Sequence, residues 1–392
     1  MSQPPHPQSS LASAACAAPT SPARRRWLKA GAGLAAAGLA GPAVHAQTRT
    51  AARDLSVVQI TDMSPAQQDI SRDFVAGARA AWQQFNANGG LQGRIVQHQV
   101  IEVDGSADAL ARVWNDVRRE PQHIALTGTT GHATASALGR LVQAGVREGS
   151  PPVAHVAPWL HDTPAGDDAL TFPIFAPREE QIGHALRTLS IVGVPEIGVI
   201  YATPEDRRQS HGSVQRAADD MKLTLRVVPP GNPSGAPAIV LFVGGTPELV
   251  RLCQLLARAG SVRQQFVVAL ADANLQTLAL SGAPANVPVI GTQPVPVVTA
   301  SMPVVRQFRD ALARLFDEAP TPHSLAGYLA ARYTQQVMRG MDGTPSRQSV
   351  LAAFARRPAV ELGGFRINAG ASGLGSTYVT QSMLTRDGRL VG

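Results

Sequence analysis

Hydrophobic and polar positions follow two alternating patterns from Asp54 onward. Short runs rich in β-branched residues, typical of buried strands, are followed by longer segments in which apolar residues recur every three or four positions, as in amphipathic helices. Repeated units of this kind predict an α/β fold with a mostly parallel sheet. The predicted strands are 55–60, 95–103, 124–127, 153–156, 197–201, 223–228, 238–243, 266–270 and 287–292. The predicted helices include 107–119, 133–144, 179–192, 211–221 and 246–258.

The first predicted helix has the clearest pattern. Phe74, Ala78, Trp82 and Phe85 recur at i, i+4, i+8 and i+11, so they lie on one apolar face. The helix is predicted to stop at 88–90, because Asn and Gly tolerate the left-handed conformation that ends many helices.

Three late helices, 304–317, 324–339 and 346–356, follow one another without strands between them. This break in the alternation predicts that the chain returns to cover an earlier lobe. The Pro/Gly-rich segments 229–237 and 282–296 are interpreted as surface loops or crossovers.

The N-terminal segment has the pattern of an export signal. Residues 24–29, Arg-Arg-Arg-Trp-Leu-Lys, fit the twin-arginine motif, and an Ala/Gly/Leu run over 30–43 precedes Val44-His45-Ala46, a site of the A-x-A type. We expect cleavage after Ala46 and a periplasmic location.

Two alternatives for this segment are less favourable. A membrane anchor needs roughly 20 apolar residues, and the run of about 14 is too short. Lipid attachment at Cys16 would require an aliphatic residue where Ser13 stands.

The composition changes the picture only slightly. Of 392 residues, 44% are hydrophobic and 16% charged, which is typical of a soluble globular protein, and the length predicts two packed units. Without residues 1–46 the formal net charge falls from +7 to +3. Together with the lack of basic runs interleaved with aromatics, this excludes nucleic acid as a partner. Cys253 is the only cysteine after residue 46, so we expect no intrachain disulfide and a core position.

Six short segments distributed along the chain carry a resemblance to a known family. They are Met63-Ser64-Pro65, Asn86-Ala87-Asn88-Gly89-Gly90-Leu91-Gln92-Gly93-Arg94, Gly128-Thr129-Thr130-Gly131-His132-Ala133-Thr134, Gln293-Pro294-Val295-Pro296, His323-Ser324-Leu325-Ala326-Gly327-Tyr328-Leu329-Ala330-Ala331-Arg332 and Leu362-Gly363-Gly364-Phe365. In series they resemble the periplasmic solute-binding proteins of the Leu/Ile/Val-binding family, the type 1 binding proteins of ABC importers.

The resemblance implies two Rossmann-like lobes with mostly parallel sheets joined by three crossovers. Lobe 1 is expected to comprise 54–173 plus 297–363, and lobe 2 to comprise 178–292 plus 366–392. It further implies a small-molecule ligand between the lobes, at the carboxyl ends of the strands, and an inner-membrane ABC permease as partner. We expect a monomer without cofactor or metal.

Several positions depart from the family pattern. His132 stands where relatives carry Ser or Thr, and Val156-Ala157-Pro158-Trp159 replaces small residues and Thr. The segment Pro204-Glu205-Asp206-Arg207-Arg208 replaces Asp-x-x-aromatic-Gly. Leu270 stands where many relatives place a Glu for the ligand amine, which leaves Asp272 as the nearest acid. These changes predict a small polar or carboxylated ligand rather than an α-amino acid.

Eight residues are therefore the candidate ligand contacts, each with a structural alternative. His132, Ala133 and Thr134 open a predicted helix, whose N-terminus favours an anion, but His132 and Thr134 would also suit loop or capping positions. Trp159, next to Ala157, could stack on a ligand or pack in the core. Ser64, Thr246 and Asp272 could offer polar groups to the cleft. Their structural alternative is a position at the start of a helix.

Other chemistry has little support in the sequence. His132, His155 and His161 could share one edge of the first lobe, yet no spacing resembles a compact set of metal ligands. No G-x-S-x-G, H-E-x-x-H or P-loop motif is present, and the Gly-rich segment 370–375 is predicted to lie in a C-terminal hairpin. We therefore expect a binding component of an importer rather than an enzyme. The alternative is a sensory binding protein, which neighbouring regulator genes rather than permease genes would indicate.

Overall fold

The computed structural model describes residues 55–392 except 163–167, 192–195, 260–264, 283, 285, 369–374 and 386–388. Contacts divide the chain into Met1–Ala51, which precedes the described part, and Ala52–Gly392. The predicted export segment and most of the predicted Gly-rich hairpin lie outside the described residues. Within these residues no helix is both long and apolar enough to cross a bilayer.

The first sheet contains five parallel strands in the order β2-β1-β3-β4-β5. Its strands and the helices that alternate with them are β1 (Leu55–Asp62), α1 (Gln68–Ala87), β2 (Val96–Val103), α2 (Ala107–Arg119), β3 (His123–Thr127), α3 (His132–Arg147), β4 (Ala154–Val156) and β5 (Thr171–Phe172). All residues of β1 are buried, because helices cover both faces of the sheet.

The second sheet has seven strands in the order β14-β13-β10-β9-β8-β6-β7. Its β10–β13 and β13–β14 pairs are antiparallel and its other pairs are parallel. Along the chain come α4 (Arg178–Ile191), β6 (Glu196–Tyr201), α5 (Pro204–Asp220), β7 (Thr224–Val227), β8 (Ile239–Val243), α6 (Thr246–Arg258), β9 (Phe266–Ala269), α7 (Leu275–Leu280) and β10 (Val289–Gln293). The sheet ends with β13 (Thr380–Leu384) and β14 (Leu390–Val391). Cys253 lies in the core between α6 and this sheet.

The late helices α8 (Pro303–Ala313), α9 (Pro322–Arg339) and α10 (Arg347–Ala355) return to the first sheet, where their apolar residues share one core with α1, β3 and β4. A hairpin of β11 (Val360–Leu362) and β12 (Phe365–Ile367) follows them. We call the first sheet with its helices lobe 1 and the second sheet with α4–α7 lobe 2. The chain passes between the lobes three times: after β5, after β10 and after β12.

Helices α1 and α9 approach each other until their backbones touch. A Cβ atom at Gly77 would lie 1.7 Å from the Ser324 carbonyl oxygen, and one at Gly327 would lie 1.8 Å from the Phe74 carbonyl oxygen. Only glycine fits at both crossing points. This contact fixes α1 and the start of α9, which both reach the cleft between the lobes.

The structure corrects several predicted elements. Helix α5 begins at Pro204 rather than at residue 211, because Thr203 and Asp206 form a capping box in front of it. Predicted strand 223–228 is shortened to β7. Helix α7 and the short strands β5 and β11–β14 were not predicted, since runs of two to six residues carry too little periodicity.

Candidate functional site

Side chains from both lobes meet at the carboxyl ends of the parallel strands. Lobe 1 contributes the start of α3 and the segment 157–162 that follows β4, while lobe 2 contributes the segment 270–274 that follows β9. Arg178, the first residue of α4, comes directly after the first passage between the lobes. Open parallel sheets bind ligands at this edge.

At the centre lies a buried group of three side chains, His161, Arg178 and Asp272, which we call the interlobe cluster. His161 Nε2 is 2.6 Å from Asp272 Oδ1, and Arg178 Nη2 donates to Asp272 Oδ2 at 2.9 Å. A second guanidinium nitrogen, Nη1, donates to Ser210 Oγ at 3.1 Å. Each of the three side chains is 7% exposed. Each carboxylate oxygen of Asp272 therefore lies beside a side-chain nitrogen of the chain itself.

The charge states within the interlobe cluster follow from these contacts. Burial opposes ionisation of Asp272, but Arg178 and His161 outweigh it, so the pKa of Asp272 lies below its ordinary value. Burial lowers the pKa of His161 to about 4. Arg178 Nη2, which can only donate, lies 2.5 Å from His161 Nδ1. His161 is thus neutral at pH 7, and because Nδ1 accepts from Arg178, its proton is on Nε2, the nitrogen beside Asp272.

His132 stacks on the cluster from α3. Its ring is 4.6 Å from that of His161 at an angle of 8°. His132 Nδ1 accepts from the His161 backbone N–H at 3.1 Å, and Nε2 is 3.2 Å from Asp162 Oδ2. The hydrogen bond from His132 lowers the pKa of Asp162. Helix α3 has Gly131 at its N-cap and no side-chain cap, so its first backbone N–H groups lack a capping acceptor.

A second buried acid, Asp62 at the end of β1, was not singled out from the sequence. Thr134 Oγ1 donates to Asp62 Oδ2 at 2.7 Å, and the Ser64 backbone N–H donates to Asp62 Oδ1 at 2.9 Å. Thr134 therefore uses its hydroxyl proton on Asp62. Ser64 itself is half-buried beside this carboxylate.

Two carboxylates on α1 also bond to lobe 2. Asp69 Oδ2 accepts from Thr246 Oγ1 at 2.7 Å, and Asp73 Oδ2 accepts from Asn274 Nδ2 at 2.8 Å. Asp73 Oδ2 accepts a further hydrogen bond from Thr321 Oγ1 at 2.8 Å. These contacts join the lobes on the α1 side of the cleft.

The helix-capping alternatives for two candidate residues are not what the structure shows. Gly245, not Thr246, is the N-cap of α6, and Thr246 is the first helical residue. Asn274, not Asp272, caps α7 by accepting from the backbone N–H groups of Gln276 and Thr277. Both Thr246 and Asp272 instead bond across the cleft.

Trp159 packs in the core of lobe 1 behind the cleft. Its indole is 3% exposed and meets Phe74, Phe175 and His323 edge to face, with ring centroids 5.0 to 5.8 Å apart. His323 Nε2 is 3.0 Å from the Ala271 carbonyl oxygen of lobe 2. Ala157 has a left-handed φ of 49°, a strained conformation for a residue with a Cβ.

The third histidine considered for a metal site is separate from the other two. His155 is buried within β4, where Nε2 contacts Thr129 Oγ1 at 3.1 Å. Among the described residues no group of three or more His, Cys, Asp or Glu side chains is arranged to hold a metal ion.

Next to the interlobe cluster is a small polar cavity of about 70 Å³. Its walls include Arg178, Ser210 and Ser213.

Comparison with models of protein families identifies the family of this chain. A family model described as "Periplasmic binding protein" matches residues 54–377. The chain belongs to the periplasmic binding protein family. Proteins of this family are solute-binding proteins that work with ABC transporters. No curated protein matches the chain by sequence.

Solved structures of periplasmic binding proteins share the fold. A substrate-binding periplasmic protein of Ralstonia solanacearum is 22% identical, with a TM-score of 0.75 over 86% of this chain and 99% of that one. The branched-chain amino acid transporter substrate-binding protein LivJ of Streptococcus pneumoniae, in complex with isoleucine, is 12% identical over 87% and 98% of the chains, with a TM-score of 0.69. A fatty acid ABC transporter substrate-binding protein of Thermomonospora curvata is 12% identical over 86% and 91%, with a TM-score of 0.71.

In this periplasmic binding protein the predicted candidates fall into three places. His132 and Asp272 meet at the interlobe cluster, Ser64 and Thr134 surround Asp62, and Thr246 bonds to α1. Ala133 is exposed in the first turn of α3, while Ala157 and Trp159 lie behind the cleft. Sequence reasoning missed Arg178 and Asp62 altogether and considered His161 only as a metal ligand.

Proposed function

We propose that this protein is the periplasmic substrate-binding component of an ABC importer and that it binds a small carboxylated solute without an amine. The observation that carries the proposal is the buried polar group in which His132, His161, Arg178 and Asp272 of the two lobes meet beside the uncapped start of α3. Side chains that converge from two lobes onto one edge suit a ligand held between them.

The free donors of this region favour an anionic group. The backbone N–H groups of His132, Ala133 and Thr134 point out of the first turn of α3, where the helix dipole also favours negative charge. The Ser64 hydroxyl adds a further donor. Thr134 itself contributes only its backbone N–H, because its hydroxyl proton is used by Asp62.

Lobe closure would be the mechanism of capture. A ligand shifts an equilibrium between open and closed forms only by binding the closed form more tightly. The three passages between the lobes are the places where the chain can bend. The closed form would then dock on the permease of the inner membrane, with the protein acting as a monomer.

The test is a thermal-shift screen of the mature protein over aliphatic, hydroxy and aromatic carboxylates, followed by calorimetry. A carboxylate at 100 times its dissociation constant should stabilise the protein by roughly 2.7 kcal/mol. His132→Ala should weaken binding, and Glu148→Ala, an exposed substitution at the far end of α3, is the matched control. Micromolar binding of leucine that survives His132→Ala would refute both the ligand class and the site.

A further inference from the structure

Arg178 is an unusual residue to find in the centre of a ligand cleft. Its side chain is 7% exposed, and the guanidinium contacts His161, Ser210 and Asp272. Arginine is rarely buried so completely unless it is paired. Here the partner is Asp272, which is the one buried acid of lobe 2 facing lobe 1 among the described residues. Asp272 therefore provides a binding position for a cation between the lobes, and the Arg178 side chain already occupies it.

We infer that Arg178 is a built-in cation that fills the position a ligand ammonium would need, and so makes the cleft selective against amino acids and other amines. The inference rests on the proposed function only in taking this cleft as the ligand site. It names Arg178 as the residue that determines specificity.

Competition with a free amine strongly favours the tethered group. Arg178 is always protonated and is attached to the backbone beside Asp272, so its effective concentration far exceeds that of a dissolved ligand. An ammonium that entered without displacing it would lie beside a buried guanidinium with Asp272 already neutralised. Uncompensated buried charge is strongly unfavourable, so an amine is rejected.

Two other acids near the cleft, Asp62 and Asp162, do not offer an equivalent position. Asp62 Oδ2 is so close to the backbone of Gly131 that even an added methyl group there would lie 2.7 Å away, and Oδ1 is similarly close to Gly105. Asp162 is 59% exposed and engaged by His132. A carboxylate exposed to water holds an ammonium only weakly.

The first experiment is chemical rescue of Arg178→Ala. Removal of the side chain leaves a space of guanidinium shape beside an unpaired Asp272, so we expect the melting temperature to fall by about 10 °C. Methylguanidinium at 10 mM should recover at least half of this loss. The wild type and Arg187→Ala, an exposed arginine on the same helix, should not respond.

A second variant covers the case in which Arg178→Ala does not fold. Arg178→Gln keeps most of the volume and a donor for Asp272 but removes the charge, so methylammonium and leucine should bind it at least 10-fold more tightly than the wild type by calorimetry. The gain should disappear in the double variant Arg178→Gln/Asp272→Asn. The inference would be overturned if Arg178→Gln bound both probes no more tightly than the wild type does. It would also be overturned if the wild type bound methylammonium as tightly as the variant does.

These outcomes are separate from the carboxylate screen. If no carboxylate binds the wild type but methylguanidinium rescues Arg178→Ala, the proposed ligand class fails and the role of Arg178 stands. If a carboxylate binds but neither Arg178 variant gains affinity for cations, the ligand class stands and the role of Arg178 is refuted.

Discussion

Substitution of Gly77 by alanine tests the contact between α1 and α9 that supports one side of the cleft. The new Cβ would lie 1.7 Å from the Ser324 carbonyl oxygen and 2.9 Å from the Tyr328 backbone nitrogen. A carbon and an oxygen in van der Waals contact are roughly 3.3 Å apart, so the helices must separate by about 1.5 Å. The obstacle is backbone, so no side chain can rotate away.

The magnitude follows from two opposing effects. Overpacking of a core by a methyl group costs about 1–3 kcal/mol and sometimes more, and an immovable backbone obstacle belongs at the upper end. Replacing a helical glycine by alanine gains about 0.5–1 kcal/mol of helix stability. We therefore expect Gly77→Ala to lower the free energy of unfolding by about 2 kcal/mol or more.

The assay is urea unfolding followed by circular dichroism, with Gly212→Ala as the matched control. Gly212 is exposed on α5, and its Cβ would meet only the end of the Arg216 side chain at 3.5 Å. This control should be slightly more stable than the wild type. If Gly77→Ala unfolds at the same urea concentration as Gly212→Ala, the close approach of α1 and α9 is wrong.

Three further predictions concern the lobes and the N-terminus. The pKa of His161 is about 4 when folded and 6.5 when unfolded, so the unfolded state binds the proton first. As pH falls from 6.5 to 4, up to about 3 kcal/mol of stability should be lost. The urea unfolding midpoints at pH 7 and pH 5 should therefore differ less in His161→Gln than in the wild type. Asp73→Ala removes an acceptor of Asn274 and should increase the radius of gyration in solution scattering, whereas an unchanged radius would count against this bond. Replacing Arg24 and Arg25 by lysine should abolish periplasmic accumulation, and an unchanged yield in cell fractions would exclude the twin-arginine route.

Much of the fold follows from hydrophobic periodicity alone. The sequence predicts the alternation of strands and helices, and it predicts that three helices without strands between them return to an earlier lobe. Both predictions depend on long amphipathic segments. The start of α5 was not. Its first turn, Pro204-Glu205-Asp206, contains no large apolar side chain, so the apolar period begins only later. The signal that could have found it is Thr203 three residues before Asp206, a capping pair.

The site was harder to predict, for a physical reason. His132 and Asp272 could be selected because each follows a strand at the edge where parallel sheets bind ligands. Arg178 could not, since arginine is normally exposed and only the tertiary fold brings it against an acid 94 positions away. Asp62 was hidden likewise: its importance comes from the Thr134 hydroxyl, 72 positions away, rather than from its neighbours in sequence.

The contacts across the cleft also determine how easily a ligand can enter between the lobes. His161 and Asp272, Asp69 and Thr246, and Asp73 and Asn274 join the lobes through the chain's own side chains. A ligand that enters between the lobes must first separate these pairs, so its rate of association is reduced by the fraction of molecules that are open. If about 1% are open, the association rate constant falls about 100-fold. Weakening of Asp73 should therefore raise the association rate constant even though Asp73 lies outside the interlobe cluster, which separates control of opening from ligand recognition.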